Sequence, residues 1–151
     1  MIGKLEIPSL GSIGVETSLN KKKGLNLWSD FTADDAIKYL NLLPNKISSR
    51  VYQRFLNEVH ASTSEPPKGN SDKISKFLET RLVKLALNGQ TDYLIKIISQ
   101  LPDSPKWERW KQWYIIHHFL VKDDTNACQQ ISNTMKNYDS TFWKKANLLC
   151  L

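Results

Sequence analysis

Apolar residues recur at intervals of three and four over most of the chain, and short polar or proline-bearing segments interrupt them, a pattern that predicts amphipathic helices joined by tight turns. Thr32 with Asp35 reads as a helix start, followed by Ala36, Ile37, Tyr39, Leu40 and Leu43 at helical spacing, and Pro44 ends the run. A second helix is expected from Ser48 or Ser49, carrying Val51, Tyr52, Phe55, Leu56 and Val59. Ser71 can cap a third, with Ile74, Phe77, Leu78, Leu82, Leu85 and Ala86, and Gly89 supplies a left-handed stop. Asp92 opens a short helix with Leu94, Ile95, Ile97, Ile98 and Leu101, ended by Pro102. Ser104 before Pro105 marks the next start, because proline at the first helical position loses no hydrogen bond. That helix carries Trp107, Trp110, Trp113, Tyr114, Phe119 and Leu120 and runs to about Val121. Asp123 or Asp124 caps a helix with Ala127, Cys128, Ile131 and Met135, and Asp139 or Ser140 starts a last one through Phe142, Trp143, Ala146, Leu148 and Leu149.

Residues 1–29 differ. They hold Gly3, Gly11, Gly14, Gly24 and Pro8 with no helical apolar spacing, and so read as an extended lead-in segment held by packing or left mobile. Residues 30–151 form the helical domain, with a proline-rich connector at 62–71. Strand signals are weak throughout, so the fold class is all-α.

Position differences add a second layer. Phe77, Trp110 and Trp143 stand 33 apart, as do Leu82, Ile115 and Leu148, and Val83, Ile116 and Leu149. Leu94 pairs with Ala127 and Ile98 with Ile131 at the same interval, and Gly89 falls opposite Lys122, both at the turn between a longer helix and a shorter one. A period of this size with two helices per unit is the signature of stacked helical hairpins, an α-solenoid, in which each unit covers the apolar face of the last. The third unit stops at Leu148-Leu149-Cys150-Leu151, before its turn, which predicts an array truncated at the C-terminus.

Several residue groups carry a family resemblance: Gly24 with Leu27 and Trp28; Leu43-Pro44 and Ser48; Pro66, Pro67 and Gly69; Arg81-Leu82 with Leu85 and Gly89; Leu101-Pro102; Ala127-Cys128; and Phe142-Trp143-Lys144-Lys145-Ala146 with Cys150. On these, over residues 13–151, the chain resembles helical-repeat proteins of alphaproteobacteria and, more distantly, tetratricopeptide-type solenoids. The period of 33 and the scarcity of small residues at hairpin contacts depart from the strict tetratricopeptide pattern. The resemblance implies a fold and a truncated array rather than a chemistry.

Composition narrows the function class. The 151 residues are 40% hydrophobic and 24% charged, which excludes wholesale disorder, and no apolar stretch reaches the roughly 18 residues of a spanning helix. Lys and Arg number 21 against 15 acidic residues, a net +6, divided as +2 over residues 1–70 and +4 beyond. The excess is dispersed; its only run, Lys21-Lys22-Lys23, reads as a solvated loop, so nucleic acid is the secondary candidate partner and protein or peptide the first. The first ten residues lack the continuous apolar segment of a secretory signal, and the compartment stays open between cytoplasm and periplasm.

No catalytic constellation, cofactor motif or metal-ligand spacing emerges. His117 and His118 are adjacent on a helix and diverge by about 100°, with no carboxylate three or four positions away on that helix. Cys128 and Cys150 are too few for a disulfide framework and read as small hydrophobes. Glu79 and Glu108 read as solvated ion-pair partners, and Asp34-Asp35 as a helix start. Trp107, Trp110 and Trp113 form a stripe on one helix; Trp107, Arg109 and Trp113 are the candidate partner-binding residues of a non-enzymatic scaffold.

Overall fold

A computed structural model of the protein describes residues 9–21 and 26–151. The fold is all-α. The described residues form α1 (Ser18–Lys21), α2 (Ala33–Leu42), α3 (Arg50–Ala61), α4 (Ser71–Leu87), α5 (Thr91–Ile98), α6 (Glu108–Leu120), α7 (Asp124–Thr134) and α8 (Thr141–Leu148). They contain no strand, only isolated parallel bridges at Val15–Ser62 and Thr32–Lys68. No described helix is long and apolar enough to cross a membrane. The chain divides into two compact units, one up to Ile97 and one from Ile98 onward.

In the first unit the lead-in is not uniformly extended. Leu10–Ser12 makes a single 3-10 turn and α1 a single α-turn, because the Asn20 side chain accepts the Thr17 amide at 3.0 Å and starts the turn locally. Gly3, Pro8, Gly24, Lys22 and Lys23 lie outside the described residues. Residue 14 must be glycine for space: a Cβ there would lie 2.6 Å from the Thr63 nitrogen and 2.8 Å from the Ala61 oxygen. That closeness lets Val15 donate to the Ala61 carbonyl at 2.8 Å and accept from the Thr63 amide at 3.1 Å, stitching the lead-in to the end of α3.

In this unit the predicted start of α2 holds, while those of α4 and α5 shift, α5 beginning at Thr91 rather than Asp92. Thr32 caps α2, its hydroxyl accepting the Asp35 amide at 3.1 Å. Asn70 rather than Ser71 caps α4: its Oδ1 accepts the Lys73 amide at 3.0 Å, and Ser71 is the first helical residue. α3 departs from a single apolar stripe. Val51, Tyr52 and Phe55 are exposed, whereas its last six residues, 56–61, are all buried whatever their polarity, because only that end packs beneath the lead-in and α4. The core joins Trp28, Ala36, Leu40, Val59 and Phe77, with Trp28 edge-on to Phe77 at 5.4 Å.

A fully buried cation organises this unit. Arg81 on α4 has no acidic partner among the described residues; it donates to three backbone carbonyls, His60 at 2.8 Å, Ile13 at 3.0 Å and Ser62 at 2.7 Å, and lies over the Phe77 ring at 5.6 Å. Burial lowers its pKa to about 10, so it stays charged at neutral pH. Beside it, His60 is also fully buried, with both ring nitrogens unpartnered among the described residues. Burial first, then the positive charges of Lys84 and Arg81, lower its pKa to about 4. Lys84 itself is anchored to the Leu43 carbonyl at 2.9 Å and Asn45 Oδ1 at 3.0 Å, closing the end of α2.

In the second unit Pro105–Trp107 forms a 3-10 turn, so the regular helix α6 begins at Glu108, three residues later than the proline signal suggests. Its core is Ile115, Ile131, Tyr138, Trp143 and Ala146, with Tyr138 stacked on Trp143 at 5.0 Å. The Tyr138 hydroxyl donates to the Ser104 carbonyl at 3.2 Å, and burial, aided by Asp103 and Glu108, pushes its pKa up to about 12.

The turns after α4 and α6 are built alike. After α4, the amides of Asn88, Gly89 and Gln90 donate to the carbonyls of Lys84, Ala86 and Leu85, and Gly89 has φ 67°. After α6, those of Val121, Lys122 and Asp123 donate to His117, Phe119 and His118, and Lys122 has φ 60°. Nothing lies within 4 Å of a Cβ built on Gly89, so only its backbone angle selects glycine there.

Two predictions follow from these contacts. Gly89→Ala should cost about 1 kcal/mol through φ alone, and Lys122→Gly should leave stability level or raise it by a few tenths, both read by urea denaturation. For His60, the unfolded chain, near pKa 6.5, takes up its proton before the folded one does at about 4. Its contribution is therefore complete above about pH 6.5 and is lost as pH falls toward 4. The unfolding free energy of wild type should drop between pH 7 and 5 by about 2 kcal/mol more than that of His60→Gln.

Candidate functional site

α6 carries the three candidate residues and sorts them by face. Trp107, in the turn that enters α6, is only 2% exposed. Arg109 is exposed and Trp113 half-buried, and four-residue steps continue through His117 to Val121, with Ile116 and Leu120 beside them. Trp113 stacks on His117, ring centroids 5.4 Å apart and planes 13° apart. The result is an outward stripe with a guanidinium at its start, an indole–imidazole stack at its middle and the exposed side chains Ile116, Leu120 and Val121 at its end. The opposite face, with Lys111, Ile115 and His118, is buried. There Lys111 pairs with Asp103 at 3.3 Å.

Glu108 fixes the start of this helix. It is not the solvated partner that its charged surroundings suggest. Its Oε1 accepts from Ser140 Oγ at 2.6 Å, Trp143 Nε1 at 3.0 Å and Gln112 Nε2 at 3.1 Å, tying α6 to the start of α8. The Ser140 hydrogen bond above all, with those from Trp143 and Gln112, holds the carboxyl below its ordinary pKa despite opposing desolvation. The spacing of 32 and 35 residues to its partners left no local signal.

His118 gains a carboxylate that helical spacing does not reveal. Asp123 Oδ2 sits 2.9 Å from its Nδ1, five residues on, because the chain reverses through the left-handed Lys122. The same oxygen accepts from Asn126 Nδ2 at 2.7 Å; that bond, and then the one with His118, hold Asp123 below the usual carboxylate range despite opposing desolvation. The other ring nitrogen, Nε2, is sealed from solvent without a partner among the described residues. An imidazole oriented by a carboxylate is a familiar general-base arrangement, but a base must reach a reacting proton, and this nitrogen opens on no solvent.

The cysteines are the clearest correction. Cys128 on α7 and Cys150, just beyond α8, form a disulfide across a Cα–Cα distance of 5.6 Å rather than standing as separate small hydrophobes. The bond removes a free thiol from any nucleophilic role. Two cysteines cannot make a framework, yet they can close one loop, here of 22 residues around the bend between two helices. Their positions, one on α7 and one just past the end of α8, were the available signal.

Leu148, Leu149 and Leu151 are exposed. Comparison with protein-family models, with curated proteins and with solved structures finds no match to the chain.

Closing a loop of this length restricts the unfolded chain by about 3 kcal/mol in the chain-entropy account. Reduction, or the pair Cys128→Ser and Cys150→Ser, should lower the stability of the second unit by about that amount, seen as an earlier thermal transition. A transition indifferent to reductant would contradict it.

Proposed function

We propose that the chain is a non-enzymatic helical-repeat module that binds a protein or peptide partner, with the outward face of α6 as a contact surface. The observation that carries the repeat reading is the recurrence of one turn. The three hydrogen bonds that close α4 reappear on α6 with donor and acceptor each advanced by 33 positions, around the two left-handed residues Gly89 and Lys122. The helices after these turns also start 33 apart, at Thr91 and Asp124. Burial supports the same alignment: Leu82 and Ile115 are buried, Val83, Ile116 and Leu149 exposed, and the pairs Leu94–Ala127 and Ile98–Ile131 buried. Leu148 departs from it, being exposed where Leu82 and Ile115 are not. Helical repeats commonly serve as binding scaffolds, and aromatic and arginine side chains anchor interfaces more often than other types, which favours Arg109 and Trp113 as contacts. The place of the chain among helical-repeat proteins of the tetratricopeptide type belongs to this same reading.

The test separates contact from core. Arg109→Ala and Trp113→Ala should each weaken a captured partner severalfold with the melting temperature nearly unchanged, whereas Trp107→Ala should destabilise the fold by about 3 to 5 kcal/mol. Retention on heparin or DNA that falls steeply with salt, with no partner protein captured, would favour nucleic acid instead.

A further inference from the structure

The first half of α3 stands clear of the first unit. Residues 56–61 are all buried, whereas Arg50, Val51, Tyr52, Arg54 and Phe55 are exposed and Gln53 between them is half-buried. We propose that this end of α3, with the loop that enters it, docks on an anionic membrane surface. The inference does not rest on the partner-binding reading, which concerns α6.

The helix is held here from one side. Gln53 Oε1 accepts the Ile47 amide at 2.8 Å, and its Nε2 donates to the Asn45 carbonyl at 3.4 Å and to Asn57 Oδ1 at 3.2 Å. Lys84 fastens the same loop from below, at the Leu43 carbonyl and Asn45 Oδ1. Loop and helix are therefore one braced corner. At about 100° per residue, Val51 and Phe55 lie about 160° around the helix from Gln53, so they turn away from the loop that braces it. Val51 is 77% exposed, Tyr52 65% and Phe55 49%. By the same rotation Arg50 and Arg54 fall on one flank of this apolar edge and Tyr52 on the other. An apolar edge flanked by cations is the arrangement of helices that lie in the headgroup region of a bilayer.

Charge defines the surface it fits. From residue 36 to residue 57 the chain has no Asp or Glu, while Lys38, Lys46, Arg50 and Arg54 are all exposed. Acidic residues elsewhere in 1–70 offset these four, so the sum of +2 over that stretch conceals a locally basic corner. Lys46 belongs to it, since both its neighbours, Asn45 and Ile47, are bonded to Gln53. The cavity beside the corner, bordered by Gln90 and Tyr93, is lined by no carboxylate. Glu58, one turn beyond Arg54, is buried and engaged by Arg54 Nε at 3.2 Å and by the Ser18 hydroxyl.

Shape decides among anionic partners. A ridge exposed over most of its circumference offers no groove in which a peptide or a nucleic-acid strand could lie, and the aliphatic Val51 gains nothing from base stacking or from a row of carboxylates. A bilayer interface yields around such a ridge. Val51 and Phe55 would leave water at the level of the first acyl carbons, the Tyr52 hydroxyl would stay among the headgroups, and the basic side chains would meet lipid phosphates and carboxylates.

The experiment is sedimentation of the full chain with vesicles of phosphatidylcholine, alone or with about 30% phosphatidylserine. Binding is expected to the anionic vesicles, at least tenfold tighter than to phosphatidylcholine alone, and to weaken severalfold as salt rises from about 0.1 to about 0.5 M. Lys46→Ala and Arg50→Ala should each weaken it about fivefold and Val51→Ser about tenfold, with the melting temperature unchanged. Lys136→Ala, which removes the same charge from the second unit, should leave it unchanged. The native cysteines are paired, so Val51→Cys supplies the one free thiol for a nitroxide label. On the anionic vesicles that label should become accessible to oxygen and shielded from a water-soluble relaxing agent, whereas a label at Ile116→Cys should not. The proposal is overturned by an absence of binding to the anionic vesicles, by equal binding to both kinds, by an equal loss in Lys136→Ala, or by immersion of the Ile116 label in place of that at Val51. Protection of the Val51 label by polyglutamate or a DNA oligonucleotide, with vesicles leaving it in water, overturns it as well and gives the face to that partner.

Discussion

Placing a guanidinium in the interior, with no carboxylate among the described residues to neutralise it, is the constraint around which the first unit is arranged. Such a group is tolerated only if its N–H donors are met, and Arg81 meets three carbonyls drawn from the lead-in, the end of α3 and the following loop. Those carbonyls belong to segments that have no regular secondary structure to organise them or are just leaving it. The cation thus substitutes for a sheet or a helix in satisfying their backbone, and α4 becomes the beam to which irregular chain is tied. The charge has an electrostatic cost that spreads to its neighbours. Lys84 must find its own oxygen partners, and His60, enclosed beside both, can persist only in its neutral form.

The second unit solves a smaller problem by different means. Residues 98–151 offer a modest core, and three devices supplement it: the Glu108 carboxylate gathering donors from two helices, the Tyr138–Trp143 stack, and the Cys128–Cys150 bond. The first ties α6 to the start of α8, and the other two act among α7, the bend after it and α8. The outer side of α6 is left free to carry Arg109, Trp113 and His117, where side chains are constrained by one another rather than by the core.

Much of the helical order was legible from the chain. Thr32, Ser104-Pro105 and Gly89 act on their own backbones within a turn, so the residue types announce the geometry. The all-α class followed from the same local rules. What stayed hidden was decided by partners distant in sequence. Nothing around Val51, Tyr52 and Phe55 shows that they face outward while Asn57, Glu58 and His60 are enclosed, because that depends on where the lead-in crosses α3. Of the candidate contacts, Arg109 and Trp113 reach the surface and Trp107 does not, since the entry to α6 is a 3-10 turn whose side chains fall out of step with the helical stripe. The His118–Asp123 pair escaped helical spacing for a related reason: the chain changes direction between them at Lys122.

The cysteine pair also changes what the second unit is as a covalent object. The backbone from Cys128 to Cys150 and the bond between the two sulfurs form a ring that encloses the last turns of α7, the bend and all of α8. A single backbone cut inside that ring releases no fragment: the two pieces stay joined through sulfur and their helices remain within reach of one another. Such a nick would add only a water to the mass and separate nothing on a denaturing gel until the protein met a reductant, whereas a cut outside the ring would release a fragment under the same denaturing conditions.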